Sequence, residues 1–280
     1  MFSTLIATDD LAAHLDDPSW VVIDCRFDLA QSAWGESEYR TAHVPGAAYA
    51  HLDRDLSGEK TGTNGRHPMP DWTSFAARAG TWGIGPGVQV VTYDQQNGMY
   101  ASRLWWMLRY LGHDAVAVLD GSFRKWLAEA RETSSGEETH APRAFTAAPR
   151  REWLVTVEDI ARRLGAPDQV LLDARAPERF AGQSETLDKV AGHIPGARNY
   201  FFQRNLAPDA TFLSRAELAE QLGTVVGDCD PSQIVCYCGS GVTACHNLLA
   251  LEHAGLHGAK LYAGSWSEWS ADSARPVERG

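Results

Sequence analysis

Short apolar runs alternate with stretches of helical periodicity along the whole chain. Four of these runs, each of four to six residues, are found at 88–93, 115–119, 234–237 and 259–262. Their length is typical of buried strands. Ala244, Leu248 and Leu251 then recur at helical spacing and predict a helix with one buried face. Strands that alternate with helices favour a mainly parallel sheet covered on both faces, so the pattern predicts an α/β fold.

The same series of motifs occurs twice. An Asp-x-Arg motif after an apolar run, a His-x-Pro-Gly motif and a Gly-Ser-aromatic motif recur in the same order, at 24–26, 43–46 and 121–123 and again at 173–175, 193–196 and 264–266. The spacing between equivalent motifs changes only slightly, as loop insertions and deletions in a duplicated domain would cause. The sequence therefore predicts two tandem copies of one domain, at 1–131 and 152–280. The segment 132–151 is rich in Ser, Thr, Glu, Ala and Pro without periodicity, and we interpret it as a linker.

Cys238 is the strongest candidate for a reacting group. It lies between a predicted strand and the predicted helix at 244, where unpaired N–H groups and the helix dipole favour a negative charge on sulfur. Gly239 and Gly241 can adopt positive φ, so successive N–H groups can turn inward as an anion-binding nest. Ser240 and Thr243 add hydroxyl donors. The loop predicts a nucleophilic thiolate.

The other cysteines favour a reducing compartment. The five cysteines of the chain are odd in number and mostly clustered, unlike a disulfide framework. Cys236 and Cys245 are expected to pack as small apolar side chains. A metal site formed by these cysteines with His246 is the weaker alternative, because Cys-x-Cys lacks the usual finger spacing. We expect no metal and no organic cofactor.

Charge and the N-terminus limit the partners. A formal net charge of −11 argues against a broad nucleic-acid surface, so an anionic substrate must meet a local positive site. No apolar run approaches membrane-spanning length, and the first ten residues lack a basic, signal-like start. We expect a cytoplasmic protein that binds neither nucleic acid nor membranes.

The loop Cys238-Gly239-Ser240-Gly241-Val242-Thr243 resembles the active loop of the rhodanese-type sulfurtransferases, and most of all that of the mercaptopyruvate branch. The duplicated His-x-Pro-Gly motif and the order of elements extend the resemblance over nearly the full length. The resemblance implies a small anionic sulfur donor, either 3-mercaptopyruvate or thiosulfate, and a persulfide on Cys238. It also implies a thiol or cyanide acceptor, with a thioredoxin-like protein as one such thiol.

Roles for other residues follow from the same resemblance. Arg179 matches the family arginine that binds the anionic end of the donor, and a guanidinium suits this because it stays charged and forms bidentate bonds. The loop residues Gly239, Gly241, Val242 and Thr243 correspond to the part of the loop that surrounds the sulfur. His67 and Asp53 align with a histidine and an aspartate linked to the loop serine, here Ser240. A solvent-facing His67 is the competing interpretation.

The first copy has lost the thiol. Val90-Val91-Thr92-Tyr93-Asp94 aligns with Ile234-Val235-Cys236-Tyr237-Cys238, so Asp94 occupies the position of the nucleophile. Because aspartate cannot carry a sulfane sulfur, we expect this copy to be catalytically silent. The Asp-x-Arg and His-x-Pro-Gly motifs occur in the silent copy too, which favours a structural role for them.

Two departures from related patterns bear on function. The mercaptopyruvate branch carries a second arginine at the position of Asp188, and its absence leaves thiosulfate open as the main donor; Lys189 is a candidate replacement. Cys-dependent phosphatases have an arginine at the position of Ala244, so phosphatase activity is disfavoured. A non-catalytic tandem binding module is disfavoured by the intact Cys238 loop.

Overall fold

The computed structural model describes residues 1–280. They form two compact units. The first unit contains residues 1–58, 69–150 and 208–212, and the second contains 59–68, 151–207 and 213–280. The short segment 59–68 therefore belongs to the second unit although it lies within the first half of the chain. The consequence for the site is that residues 66 and 67 are part of the unit that contains Cys238.

The first unit is a five-stranded sheet with five helices. Its strands are β1 Leu5–Ile6, β2 Trp20–Asp24, β3 Ala48–Tyr49, β4 Gln89–Tyr93 and β5 Val116–Leu119. Its helices are α1 Thr8–Ala12, α2 Trp34–Thr41, α3 Trp72–Thr81, α4 Ala101–Tyr110 and α5 Ser122–Ala128. All pairings are parallel, in the order β1-β5-β4-β2-β3.

The second unit repeats this arrangement. Its strands are β6 Leu154–Val155, β7 Val170–Asp173, β8 Arg198–Asn199, β9 Ile234–Tyr237 and β10 Lys260–Tyr262. Its helices are α6 Val157–Arg162, α7 Pro177–Phe180, α8 Arg215–Val226, α9 Ala244–Ala254 and α10 Ser265–Trp269. The parallel order is β6-β10-β9-β7-β8, which matches the first unit strand for strand. The predicted α/β fold with two equivalent parallel sheets is confirmed.

Each sheet buries its central strands on both faces, as the unbroken apolar runs predict. All residues of β4 and β9 are buried. In the second unit the core includes Tyr237 of β9, Tyr262 of β10 and the two tryptophans of α10, Trp266 and Trp269. Because β9 is the middle strand, the residue that follows its carboxyl end lies at the centre of one sheet edge.

The duplicated charged motifs form buried ion pairs. Arg26 Nη2 lies 2.7 Å from Asp24, and Arg175 Nη2 lies 2.6 Å from Asp173, with all four side chains almost fully buried. Each guanidinium also donates to a backbone carbonyl, as Arg175 does to Gly192 at 2.8 Å. A buried pair of this kind needs such additional hydrogen bonds to offset desolvation. These motifs tie the end of a strand to a following loop in both units.

Candidate active site

Cys238 lies at the carboxyl end of the central strand of the second sheet. It follows β9 directly, and α9 begins six residues later at Ala244. Its side chain is buried, with 2% of the residue exposed. Ligands of parallel α/β sheets bind at this edge, where loops connect strands to helix N-termini.

The loop turns one N–H group directly onto the sulfur. The Gly241 N–H donates to Cys238 Sγ at 3.1 Å. Gly241 has φ of 77°, and a Cβ there would collide with the carbonyl oxygen of Ala263. Only glycine fits this turn, because it tolerates both the left-handed conformation and the close approach.

Helix α10 holds the loop from the other side. The N–H groups of Trp266 and Ser267 donate to the carbonyls of Cys238 and Gly239, both at 3.0 Å. Ser265 Oγ accepts the Cys238 N–H at 3.1 Å and donates to a β10 carbonyl. Ser265 itself has φ of 55°, a left-handed conformation that costs a non-glycine residue on the order of 1–3 kcal/mol. The strained serine therefore fixes the backbone at the nucleophile.

His67 and Ser240 form a hydrogen bond within the second unit. His67 Nδ1 and Ser240 Oγ are 2.8 Å apart, and both residues are buried, at 5% and 7% exposed. The backbone N–H of Arg66 donates to Ser267 Oγ at 3.0 Å and so anchors the segment that carries His67. The structure thus brings His67 to the loop serine, as expected from the resemblance, and not to a solvent-facing position.

Three further residues complete the set predicted from the sequence. Val242 is buried, and Thr243 is half-buried at the N-cap of α9. Asp53 lies in the first unit after β3, where its N–H donates to His51 Nδ1 at 3.1 Å. Its link to His67 stays a prediction.

Two guanidinium groups face the loop beside the nucleophile. A Cβ built on Gly239 would lie 2.7 Å from Arg66 Nη2 and 3.5 Å from Arg179 Nη2. Arg179 belongs to α7, and its side chain is 22% exposed. Arg66 is 29% exposed. A small anion that enters next to Cys238 would contact both guanidinium groups. They provide the local positive charge that an anionic substrate needs in an acidic protein.

Two carboxylates hold these arginines. Arg179 Nη2 lies 2.8 Å from Glu185 and 3.4 Å from Asp188, and Arg66 forms an ion pair with Asp188. Burial raises the pKa of Asp188 above its ordinary value, although Arg66 acts to lower it. Burial also acts to raise the pKa of Glu185. The hydrogen bonds that Glu185 accepts, above all from the Arg179 side chain, outweigh burial and bring its pKa below the ordinary value. Each guanidinium has an anionic partner before any donor binds.

The chain is similar to known proteins in sequence and in fold. Two segments, residues 7–129 and 156–272, match the rhodanese-like domain family. The "Probable 3-mercaptopyruvate sulfurtransferase" of Pseudomonas aeruginosa is 43% identical over 99% of this chain and 98% of its own. The thiosulfate sulfurtransferase of Cricetulus griseus is 34% identical over 96% of this chain and 92% of its own. The structure of the 3-mercaptopyruvate sulfurtransferase from Leishmania major gives a TM-score of 0.87 at 33% identity, covering 98% of this chain and 76% of that chain.

The chain belongs to the rhodanese-like sulfurtransferases. The resemblance expected from the loop and the internal repeat is confirmed, and so is the class of enzyme. A sulfurtransferase acts on a sulfur donor and an acceptor, and the names of the relatives divide between two donors. Every helix of this sulfurtransferase is too short or too polar to cross a lipid bilayer.

The neighbouring cysteines of the sulfurtransferase differ from Cys238 in their surroundings. Cys236 is fully buried, and burial raises the pKa of its thiol. The Cys245 thiol donates to the Gly241 carbonyl at 3.4 Å, and His246 Nδ1 contacts Asn205. No group of three or more His, Cys, Asp or Glu side chains has the geometry to hold a metal ion. The packing role expected for Cys236 and Cys245 agrees with these contacts.

The equivalent loop of the first unit is occupied by its own aspartate. Asp94, fully buried after β4, accepts N–H groups from five loop and helix residues, Gln96, Asn97, Gly98, Tyr100 and Ala101, at 2.8–3.3 Å. Ser122 Oγ, the counterpart of Ser265, donates to the same carboxylate at 3.2 Å. Like Ser265, Ser122 has φ of 55°. The left-handed serine beside the end of the central strand is thus retained in both units, next to a carboxylate in one and a thiol in the other.

Two residues of the site are not predicted by the sequence pattern. Arg66 adjoins His67, but no local pattern indicates that its side chain reaches the Cys238 loop, which lies far along the chain. Ser265 lies in the duplicated Gly-Ser-aromatic motif, which marks it as repeated without indicating a role. Lys189, the candidate replacement for the missing family arginine, is exposed. The aspartate at position 188, where the family resemblance implies a second arginine, is a signal that a cation should be sought elsewhere.

Proposed function

We propose that this chain is a 3-mercaptopyruvate sulfurtransferase that carries the transferred sulfur as a persulfide on Cys238. The observation that carries the proposal is the convergence on one loop of a buried thiol, an N–H donor to its sulfur, two guanidinium groups and a Ser–His pair. Each of these groups has a separate task in moving sulfur from a carboxylate-bearing donor.

In the first half-reaction the Cys238 thiolate attacks the sulfur of 3-mercaptopyruvate. An S–S bond forms and the C–S bond breaks, and the electron pair of that bond passes to carbon as the enolate of pyruvate. The proton of the donor thiol ends on this carbon, so the products are pyruvate and an enzyme persulfide. No oxidant, reductant or cofactor is consumed. Arg179 binds the donor's carboxylate, which brings the sulfur within reach of Cys238.

The Ser240–His67 pair supplies the path for this proton. A hydrogen bond of 2.8 Å between a hydroxyl and an imidazole can pass a proton in either direction near neutral pH. The residues Gly239 to Thr243 contribute N–H and hydroxyl donors that stabilise the anionic persulfide, as an oxyanion hole does for oxygen.

In the second half-reaction an acceptor thiolate attacks the outer sulfur. A thiolate acceptor gains a new S–S bond and cyanide, attacking in the same way, gains a new C–S bond; in both cases the S–S bond of the persulfide breaks and the Cys238 thiolate leaves. A small thiol, cyanide or a thioredoxin-like protein can act as the acceptor. All five cysteines are free, which agrees with a reducing compartment such as the cytoplasm.

Mass spectrometry of the protein after incubation with 3-mercaptopyruvate tests the proposal. We expect one added sulfur on the Cys238 peptide, pyruvate in equal amount, and loss of both in Cys238→Ser. The matched controls Cys236→Ser and Cys245→Ser should keep most of the activity. Sulfur addition that survives Cys238→Ser, or that appears on another cysteine, would refute the assignment.

A further inference from the structure

We infer that Ser267 is a positioning residue for the Ser240–His67 pair. Its backbone N–H donates to the carbonyl of Gly239, the residue before Ser240. Its hydroxyl accepts the N–H of Arg66, the residue before His67. One residue therefore holds the chain next to both partners. The inference rests on the proposed function, because it names the residue that fixes the separation across which the proton is passed.

Three hydrogen bonds converge on Ser267, and all of them lie within the second unit. The Ser267 N–H nitrogen is 3.0 Å from the Gly239 carbonyl oxygen, and Ser267 Oγ is 3.0 Å from the backbone nitrogen of Arg66. The hydroxyl proton goes to the carbonyl of Gly264 at 3.2 Å, so the lone pairs of Oγ stay available to the Arg66 N–H. Ser267 thus ties the segment 59–68 and the nucleophile loop to the same point of α10.

A glycine lets the same segment approach α10 closely. Gly65 has φ of 86°, and a Cβ there would lie 2.8 Å from the carbonyl oxygen of Gly264 and 3.2 Å from Ser267 Oγ. A side chain at position 65 would push the segment away from α10, and this φ is itself strained for a residue other than glycine. The close approach at Gly65 therefore allows the N–H of Arg66 to reach the hydroxyl.

The counterpart of Ser267 in the first unit has no hydroxyl. In the duplicated motif this counterpart is Arg124, and its side chain is exposed. The residue before it has the same task in both units, because its N–H donates to the carbonyl of the residue that follows the central strand, at 3.1 Å in the first unit and 3.0 Å in the second. The backbone contact is common to both units, whereas the hydroxyl belongs to the unit that contains the thiol. This difference favours a role for Ser267 in the chemistry.

The rate of pyruvate release in a single turnover, measured in two backgrounds, tests the role of Ser267. Proton transfer depends steeply on the separation of the two groups, so we expect Ser267→Ala to lower this rate about 5- to 30-fold when His67 is present. In the His67→Asn protein the same substitution should change the rate less than about twofold, because no imidazole is left to align. Equal losses in the two backgrounds would overturn the inference.

The His67→Asn protein also separates a failure of the inference from a failure of the proposed function. A large loss in that protein with no loss in Ser267→Ala refutes the role of Ser267 alone. An unchanged rate in His67→Asn refutes the proton path of the proposed function as well. Ser267→Thr keeps the hydroxyl and is the conservative control, so its rate should stay within about twofold of wild type.

Two glycines of the segment provide a matched pair of variants. Gly65→Ala should lower the rate as Ser267→Ala does, because its Cβ displaces the segment from α10. Gly62 also has a positive φ, 88°, but a Cβ there would have no other atom within 4 Å. Gly62→Ala therefore introduces the same backbone strain without the collision, and its rate should stay within about twofold of wild type. Equal losses in the two glycine variants would contradict the role of the contact with α10.

Chemical modification of His67 provides a readout that needs no turnover. Diethyl pyrocarbonate acylates accessible neutral imidazoles, and His67 is only 5% exposed in the folded protein. Because Ser267→Ala loosens the segment, acylation of the His67 peptide should become about threefold faster or more, while acylation of the exposed His257 stays unchanged. Unchanged reactivity of His67 together with slower pyruvate release would overturn the inference, since the loss would then not act through the imidazole.

Discussion

His67 Nδ1 lies 2.8 Å from Ser240 Oγ, although 173 positions separate the two residues in the chain. The contact forms within the second unit, because the segment 59–68 belongs to that unit. Both side chains are buried next to the Cys238 loop, so water competes little for this hydrogen bond. The imidazole is the one titratable group of the site whose ordinary pKa is close to neutral.

Removing this pair should slow the chemical step more than it weakens donor binding. We expect His67→Asn and Ser240→Ala each to lower kcat about 100-fold or more with a small change in KM, since a positioned proton-transfer group typically contributes about 10²–10⁴-fold. Steady-state kinetics with 3-mercaptopyruvate checks this. His257→Asn is the matched control, because His257 is an exposed histidine of the same unit. A large rise in KM at unchanged kcat would assign the pair to binding.

Replacing Arg179 should mainly affect donor binding. Its guanidinium lies 2.8 Å from the carboxylate of Glu185, so its N–H donors are oriented before the donor binds. We expect Arg179→Ala to lower kcat/KM for 3-mercaptopyruvate about 10- to 100-fold, corresponding to about 1.5–3 kcal/mol, and Arg179→Lys to recover only part of it because a point charge cannot form two parallel bonds. Steady-state kinetics of both variants, with folding checked by circular dichroism, tests this prediction. Wild-type kcat/KM in a folded Arg179→Ala protein excludes this residue from the site.

The donor should be a monoanion and not a dianion. Because Glu185 and Asp188 offset the two arginines, we expect kcat/KM for 3-mercaptopyruvate to exceed that for thiosulfate by at least about tenfold, or about 1.4 kcal/mol. Parallel assays with cyanide as the common acceptor compare the donors on equal terms. A value for thiosulfate equal to or above that for 3-mercaptopyruvate would reassign the donor while leaving the enzyme class unchanged.

The first unit should depend on Asp94 for stability. Its carboxylate accepts five backbone N–H groups and the Ser122 hydroxyl, so Asp94→Ala leaves several buried donors unpaired. We expect a loss of about 3–5 kcal/mol in the free energy of unfolding, and a smaller loss for Asp94→Asn, which keeps one acceptor oxygen. Urea denaturation measures both. Asp28→Ala is the control, because Asp28 also accepts two backbone N–H groups but in an exposed loop. Similar losses in the Asp94→Ala and Asp28→Ala proteins would contradict this account.

The fold and the nucleophile are predictable from local patterns. The apolar run that becomes β9 and the helical stripe of α9 are contiguous with Cys238, so its place at a strand end follows from neighbouring residues alone. The strands begin within one residue of the predicted runs; β4, for example, begins at Gln89. The duplicated motifs then predict the second sheet from the first.

The cluster of arginines and carboxylates beside the Cys238 loop is not predictable in the same way. Arg66 and Asp188 are 122 positions apart, and their pairing depends on how the segment 59–68 folds onto the second unit. Nothing in the local sequence of either residue encodes that contact. The strained conformation of Ser265 is likewise a product of its packing against β10 and the Cys238 loop, and serine is not a residue from which positive φ is expected.

The carboxylate of Asp94 makes the first loop a receptor that contains its own ligand. A tethered anion loses no translational freedom on binding, and its effective concentration exceeds that of a dissolved competitor. The carboxylate of Asp94 therefore occupies the N–H groups of this loop whatever anions the solution contains. Free sulfur anions have no access to them. The thiol of Cys238 receives one such N–H group, from Gly241, whereas the carboxylate of Asp94 receives five and cannot leave the loop.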